Sequence, residues 1–310
     1  MNMSIVEKLS EILLNEDKKY PMYQRYRALF SLKGLGTPEA VDLIIQALGK
    51  ENESELFKHE LAYCLGQLQD ERAISTLKGL VSDSSEFVMV RHEAAESLGA
   101  ISNLECIEFL KQHLADPCKE LAHTCEIAIL KIKHDHSVNG GSSEIHSEKA
   151  NNDKSKYGPI DPAPAETKVT DVSELKQILC DQSLDLWTRY KAMFALRDIN
   201  TPEAVEALGT ALLNDTSSAL FRHEIGFVFG EMGRTESVPY LQHALNKLDE
   251  APMVRHEAAE ALGAVIGEEK ALETLKEYAA DKCQVVRESC EVAIDMYNYE
   301  NSKEFQYAII

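Results

Sequence analysis

The chain repeats itself at two scales, and this duplication limits its fold more than any other feature. The segment MVRHEAAESLGA at residues 89–100 returns as MVRHEAAEALGA at residues 253–264, an offset of 164 residues with one letter changed. RYRALFSLKGLGTPEAV at residues 25–41 and LFKHELAYCLGQL at residues 56–68 have similar counterparts at the same offset. Self-similarity of this kind indicates two homologous halves.

Each half contains a shorter repeat of about 33 residues. This distance separates His59 from His92 and His223 from His256. One repeat length before the first histidine of each half the residue is a tyrosine, and about one repeat length after the second histidine it is a cysteine. Each half therefore has four units. The marked residues are Tyr26, His59, His92 and Cys125 in the first half, and Tyr190, His223, His256 and Cys290 in the second.

The spacing of apolar residues within a unit is typical of α-helices. Apolar residues recur three and four positions apart, as in Leu61, Leu65 and Leu68, and no run alternates like a strand. Thr37 and Thr201 each precede a proline, which predicts a helix N-cap followed by proline at the first helical position. Units of this size stack to bury their apolar faces. The sequence therefore predicts an all-α protein: an α-solenoid of eight HEAT-like helical hairpins in two homologous four-repeat halves.

A glycine follows each of the four histidines by seven residues. Glycine inside a helix costs about 1 kcal/mol relative to alanine, so its recurrence in register predicts a close approach between stacked helices. The glycines are Gly66, Gly99, Gly230 and Gly263.

The composition changes between the halves. Residues 134–166 are rich in Gly, Ser, Asn, Lys and Pro with few large apolar residues, which is typical of a flexible linker. We therefore expect an N-terminal half at residues 1–133, a linker at 134–172 and a C-terminal half at 173–310. The three linker histidines, His134, His136 and His146, are not assigned a function.

Charge and cysteine content exclude several classes of function. A net charge of −20 argues against nucleic-acid binding, but it suits a cationic partner. Seven cysteines without a CxxC pair argue against a disulfide framework and favour a reducing compartment. The chain has no apolar run of the roughly 20 residues that span a membrane, and its N-terminus is typical of a helix rather than a signal peptide. We expect a cytoplasmic monomer with no nucleic-acid or membrane partner.

Four His-Glu dipeptides occupy the same position in the two central units of each half. The flanking units carry other residues there, so the scaffold does not require the pair. If the halves face each other, four imidazoles and up to four carboxylates meet, a nitrogen and oxygen set without thiolate that suits iron or manganese. Neither HExxH nor the Glu-x-x-His spacing of four-helix di-iron proteins is present. The candidate metal ligands are His59, Glu60, His92, Glu93, His223, Glu224, His256 and Glu257.

This pattern of two four-unit halves, each with two His-Glu pairs and the MVRHEAAE signature, resembles the deoxyhypusine hydroxylases over residues 5–300. The resemblance implies an O2-dependent monooxygenase with two iron ions. In that family the enzyme hydroxylates the deoxyhypusine side chain of translation initiation factor 5A and so forms hypusine.

The resemblance also implies separate roles for the eight residues. It makes the four histidines iron ligands, with Glu60 and Glu224 as carboxylate ligands. It places Glu93 and Glu257 beside the metals, where they bind the amines of the substrate; reasoning from the residues alone does not separate the two kinds of glutamate. A crossed arrangement is expected, with one iron held by His59, His92 and Glu224 and the other by His223, His256 and Glu60.

Three other interpretations fit parts of the pattern. A non-catalytic HEAT-repeat interaction scaffold would carry the His-Glu pairs as polar residues on its inner face. A HEAT-repeat bilin lyase has units of similar texture, but it gives no reason for four paired ligands. A di-metal hydrolase would use the same ligands without O2.

Overall fold

The protein is described by a computed structural model that covers residues 3–50, 53–138 and 156–302. The regular structure of these residues is helical, without strands, which confirms the predicted all-α class. None of the described helices is long and apolar enough to cross a bilayer. The α-helices are α1 (Ile5–Leu14), α2 (Met22–Leu35), α3 (Pro38–Leu48), α4 (Glu55–Leu68), α5 (Ile74–Ser82), α6 (Val88–Ile101), α7 (Cys106–Lys111), α8 (Lys119–Val138), α9 (Val172–Cys180), α10 (Leu186–Ile199), α11 (Pro202–Asn214), α12 (Ala219–Met232), α13 (Val238–Asn246), α14 (Pro252–Gly263), α15 (Glu269–Tyr278) and α16 (Gln284–Glu300).

Consecutive helices pack as pairs, and the even-numbered helix of each pair stacks on the even-numbered helix of the next. The stack crosses from one half to the other where α8 contacts α10. It also closes on itself, because α16 packs against α2. The even-numbered helices therefore form a ring, and the two halves meet inside it.

The predicted turn chemistry at the helix starts is present. Thr37 and Thr201 cap α3 and α11, and each hydroxyl accepts a hydrogen bond from a backbone amide three residues later. Proline follows both caps at the start of the helix, where the missing amide costs nothing. Serine caps α4 and α12 in the same way, through Ser54 and Ser218. These equivalent caps start α4 and α12, which carry His59 and His223, in the same register.

Buried arginines join the two helices of a unit. Arg91 on α6 donates Nε and Nη2 hydrogen bonds to the carbonyl of Val81 at the end of α5, and its Nη2 also binds Asp116 at 2.9 Å. The arginine thus satisfies a terminal carbonyl and ties its unit to the next, with the charge paired as burial requires. Equivalent arginines are Arg25, Arg189 and Arg255, which bind the carbonyls of Leu13, Leu179 and Leu245.

Three of the four in-register glycines lie where helices touch. A Cβ on Gly66 would overlap Ser97 Oγ and lie 2.8 Å from Ser97 Cα, and one on Gly99 would lie 2.9 Å from Ala128 Cβ. One on Gly263 would lie 2.7 Å from a backbone oxygen of α16. At Gly230 the added atom would be 3.5 Å from the nearest atom of Ala261, an ordinary contact. The close approach is therefore found at the first three positions and not at Gly230.

The segment expected to be a linker differs from that expectation at both ends. Residues 134–138 extend α8 as helix, and residues 139–155, which include His146, lie outside the described residues. Residues 156–166 are not helical, but they pack on both halves. Gln67 of α4 exchanges two hydrogen bonds with the backbone of Ile160, and Ala163 is fully buried. A few side chains suffice to hold a segment whose overall composition is typical of a linker.

Candidate metal centre

The four predicted histidines meet inside the ring. They lie on α4, α6, α12 and α14, in the second turn of each helix. Within each half, the imidazole centroids are 5.5 Å apart for His59 and His92 and 5.3 Å apart for His223 and His256. Across the halves, the centroids of His59 and His256 are 5.1 Å apart, as are those of His92 and His223. Residues between 33 and 197 positions apart in sequence thus form one cluster.

The cluster has the symmetry of the sequence duplication. The 164-residue offset converts His59 into His223 and His92 into His256. The corresponding ring separations agree within 0.2 Å. Tyr63 and Phe227, equivalent residues one turn further along α4 and α12, also meet, with centroids 6.1 Å apart. The two halves therefore face each other about a local twofold axis that passes through the histidine cluster.

The imidazoles are buried and largely without hydrogen-bond partners. His92 and His256 are fully buried, and His59 and His223 are 4% exposed. Seven of the eight ring nitrogens lack a hydrogen bond in the part of the chain that the structure describes. The exception is His59 Nδ1, which lies 3.3 Å from Glu60 Oε1. A buried polar atom without a partner costs about 1–3 kcal/mol, so the cluster favours a ligand that these nitrogens can bind.

The glutamates of the His-Glu pairs are buried around the imidazoles. Glu93 Oε2 lies 3.3 Å from His59 Nε2, although without hydrogen-bond geometry. Glu257 Oε2 lies 3.3 Å from His223 Nε2 and 3.5 Å from His256 Nε2. Glu224 is 2% exposed, and its electrostatic neighbours are other carboxylates. Every one of the eight candidate residues is therefore buried in or beside the cluster.

The protonation states favour metal binding. Burial lowers the pKa of His92 and His256 well below the usual value, and neighbouring histidines lower it further, so both rings are neutral with free lone pairs. At His59 burial also acts to lower the pKa. There the hydrogen bond to Glu60 and the contact with Glu93 outweigh it, and the net pKa is raised. A metal that takes His59 as a ligand must displace this proton.

Two further glutamates belong to the site and were not predicted. Glu96 and Glu260 follow His92 and His256 by one helical turn, and Glu260 Oε1 lies 3.6 Å from His256 Nδ1. Burial and nearby glutamates raise the pKa of both carboxyls well above the usual value. Burial likewise raises the pKa of Glu60 and Glu224. The repeated motif MVRHEAAE contains this last glutamate in both halves, so the signal was present in the sequence.

The donor set fits metal ions. Ligand atoms of His59, His92 and Glu93 lie within 4.8 Å of one another, and so do those of His59, His223 and His256. Neutral imidazoles and carboxylates without a thiolate suit iron or manganese, and a cationic metal offsets the crowded negative charge. Neither triad contains Glu60 or Glu224, so the crossed arrangement stays a prediction.

The comparisons with known proteins identify the family of the chain. The family model for HEAT repeats matches residues 6–89, 53–129 and 210–295. A deoxyhypusine hydroxylase of Danio rerio is 49% identical over 97% of this chain and 94% of its own length, and that of Homo sapiens is 47% identical over 94% and 91%. The chain belongs to the deoxyhypusine hydroxylase family. The solved human deoxyhypusine hydroxylase, in complex with glycerol, superimposes with a TM-score of 0.86 at 45% identity, covering 95% of this chain and 96% of that one.

These findings confirm the resemblance and the solenoid class that the sequence predicted. A second family model, described as PBS lyase HEAT-like repeat, matches residues 188–214, a single unit. That match covers the helical pattern of one unit and includes none of the four His-Glu pairs. A deoxyhypusine hydroxylase, in contrast, accounts for both halves of the chain.

Proposed function

We propose that the protein is an O2-dependent deoxyhypusine monooxygenase with two iron ions, which hydroxylates the deoxyhypusine side chain of translation initiation factor 5A. The observation that carries the proposal is the buried cluster of four imidazoles, with seven ring nitrogens left without hydrogen bonds. Membership of the family supplies the substrate class.

The chain's own residues prepare the site for metal. His92 and His256 present neutral rings, and the packing of α6 and α14 fixes their positions. Glu60, Glu93, Glu224 and Glu257 supply carboxylates, with the division between metal ligands and amine-binding residues taken from the family. Bound iron supplies the activation of O2 that hydroxylation of an aliphatic carbon needs. Burial of the whole cluster excludes water from that chemistry.

The electrostatics suit a cationic substrate. Burial and repulsion between neighbouring carboxylates raise the pKa of Glu96, Glu224 and Glu260, so the charged forms of these groups are favoured only when a cation lies among them. An ammonium group of the substrate relieves this repulsion as a metal does. The factor's basic loop would approach a protein of net charge −20.

We further propose that the protein acts in the cytoplasm as a monomer. Its cysteines are unpaired in the described residues, which suits a reducing compartment. Both halves of the metal site come from one chain, so a second copy is not needed to complete it.

Metal analysis of protein purified without chelator tests the proposal. We expect about two irons per chain and an oxygen-dependent product in wild type. His59→Ala and Glu60→Ala should lose iron and activity while keeping the helical circular dichroism. His243→Ala, which alters an exposed histidine on α13, is the matched control and should keep both.

The alternatives give different results in the same experiment. An interaction scaffold would contain no metal and would gain no activity from ferrous iron and O2. A di-metal hydrolase would turn over its substrate without O2. Full iron content in His59→Ala would contradict the proposed ligand set.

A further inference from the structure

A cavity lies where the ring closes between α2 and α16. It has a volume of about 570 Å³ and is lined by residues that include Tyr23, Arg287, Glu288, Glu291 and Asp295. Three of these five side chains are acidic. We call it the closure pocket.

Two of the acids in the closure pocket have no cationic partner. Asp295 is neutralised by Arg27, which donates two hydrogen bonds of 2.7 and 2.8 Å to it. Arg287 turns away and donates to the backbone carbonyls of Asp281 and Lys282. Among the described residues, Glu288 and Glu291 form no ion pair, and Oε2 of Glu288 is buried without a hydrogen bond. Oε1 of Glu288 accepts a hydrogen bond of 2.8 Å from the Gln284 amide. The pocket therefore offers two carboxylates without a cation.

The closure pocket adjoins the metal centre. Tyr26, one turn along α2 from Tyr23, is 5% exposed, and its hydroxyl has no hydrogen bond. The ring of Tyr26 packs against that of Phe57 on α4, with centroids 5.8 Å apart, and Phe57 lies two residues before His59. Tyr26 therefore links α2 at the pocket to the helix that carries His59. A buried hydroxyl without a partner, near carboxylates that lack a cation, suits a polar cationic ligand.

Glu55 lies on α4, one turn before His59, on the side of the metal centre that faces α16. Burial raises its pKa, His59 opposes this effect, and Glu86 and Glu288 add to it. Glu55 therefore lies on the helix that carries His59 and that packs against the pocket helix α16. Helix α16, which carries Glu288, packs against α4 and α2.

The equivalent junction in the other half lacks these features. Ala219 replaces Glu55, and His123 replaces Glu288. Lys191, the counterpart of Arg27, pairs at 3.3 Å with Glu166 of the segment that packs over this side. The two halves match at the metal centre and differ at their edges, so the acidic route exists on one side of the local twofold axis.

We propose that the closure pocket is the binding site and entrance for the cationic side chain of the substrate, with Glu288 and Glu291 binding one of its ammonium groups. This proposal rests on the proposed function for the identity of the side chain. On this proposal the substrate side chain reaches the metal centre from only one of the two sides that the local twofold axis relates.

Equilibrium binding without O2 tests the pocket separately from turnover. The probe is a peptide that contains deoxyhypusine, with its unmodified lysine counterpart as comparison. Glu288→Gln and Glu291→Gln should each raise the Kd for the deoxyhypusine peptide about 10-fold, or about 1.4 kcal/mol. Glu126→Gln is the matched control, because Glu126 follows Cys125 as Glu291 follows Cys290 and both are exposed, but Glu126 lies on α8, outside the pocket lining. It should leave the Kd within about twofold.

An unchanged Kd in both pocket variants overturns the proposal, as does an equal loss in Glu126→Gln, which would reflect net charge alone. An equal loss for the lysine peptide also overturns it, because the pocket would then recognise the surrounding sequence. If Glu288→Gln does not fold, Glu291→Gln at the same pocket decides. Wild-type product formation is assayed in parallel, and specific binding without product would contradict the proposed function while supporting the pocket.

Discussion

Gln67 and Glu231 occupy equivalent positions in the two halves, yet they hold the same segment by different chemistry. The Gln67 amide exchanges hydrogen bonds with the backbone of Ile160. Glu231 binds Arg197 at 2.7 Å, and the same guanidinium binds both oxygens of Asp161. The segment thus crosses the local twofold axis, fixed by an amide on one side and by a buried ion cluster on the other.

Arg197→Met should destabilise the protein by about 3–5 kcal/mol, because it leaves Asp161 and Glu231 as buried carboxylates without a cation. The equivalent substitution Lys33→Met is the control. Lys33 lies over Phe30 and Tyr63 and forms no ion pair in the described residues, so its loss should cost less than about 1 kcal/mol. Urea denaturation of both variants measures the difference. Equal losses would show that the ion cluster does not fix the segment.

The same cluster predicts a pH dependence of stability. Burial raises the pKa of Glu231 from 4.5 to about 7, because the guanidinium that opposes the shift is shared with Asp161. The folded state therefore holds a proton that the unfolded state releases, and the free energy of unfolding falls as pH rises from about 4.5 through 7.

Glu231→Gln removes this titration. The free energy of unfolding of the variant minus that of wild type should be larger at pH 8 than at pH 5 by about 1–3 kcal/mol. Urea unfolding at both pH values measures it. Gln67→Ala, which changes an uncharged contact to the same segment, should shift stability equally at both pH values. A pH-independent difference for Glu231→Gln would contradict the raised pKa.

The repeat period could be predicted from the sequence because each unit carries a strong mark at the same position. His59 and His223 are placed by a count of residues, and the stacking of equivalent helices then brings them together. The halves had to face each other for the four rings to meet, and the duplication favoured that arrangement without proving it.

Other parts of the site depend on contacts that no local pattern encodes. Asp161 lies in a segment rich in proline and polar residues, and only its pairing with Arg197, 36 positions later, shows that it is held. The pocket beside Glu288 exists because α16 returns to α2, a closure that depends on the accumulated geometry of the whole ring. Gly230 follows the same spacing as Gly263, yet small differences in helix approach leave it uncrowded.

This difference between equivalent glycines is testable. Gly263→Ala should destabilise the protein by about 1–3 kcal/mol, because the new Cβ would lie 2.7 Å from Ala293 O and 2.8 Å from Ala293 Cα. Gly230→Ala meets Ala261 at 3.5 Å, so helix propensity dominates and should stabilise by up to about 1 kcal/mol. Chemical denaturation of the pair decides, and a loss at Gly230 as large as that at Gly263 would contradict the packing.

The metal centre should be a source of instability when it holds no metal. His92 is fully buried, burial lowers its pKa so that it is neutral, and both ring nitrogens lack hydrogen bonds. In protein freed of metal with a chelator, His92→Leu should therefore raise the free energy of unfolding by about 1–2 kcal/mol, because it removes unsatisfied polar atoms. The same variant should lose iron and with it the stabilisation that the ligand provides. His136→Leu is the control, since Nε2 of His136 lies 2.8 Å from the carbonyl of Ser102, and its loss should cost about 0.5–1.5 kcal/mol. If His92→Leu destabilises the metal-free protein as His136→Leu does, the imidazole is satisfied without metal, and the cluster is a packing feature rather than a site built for an ion.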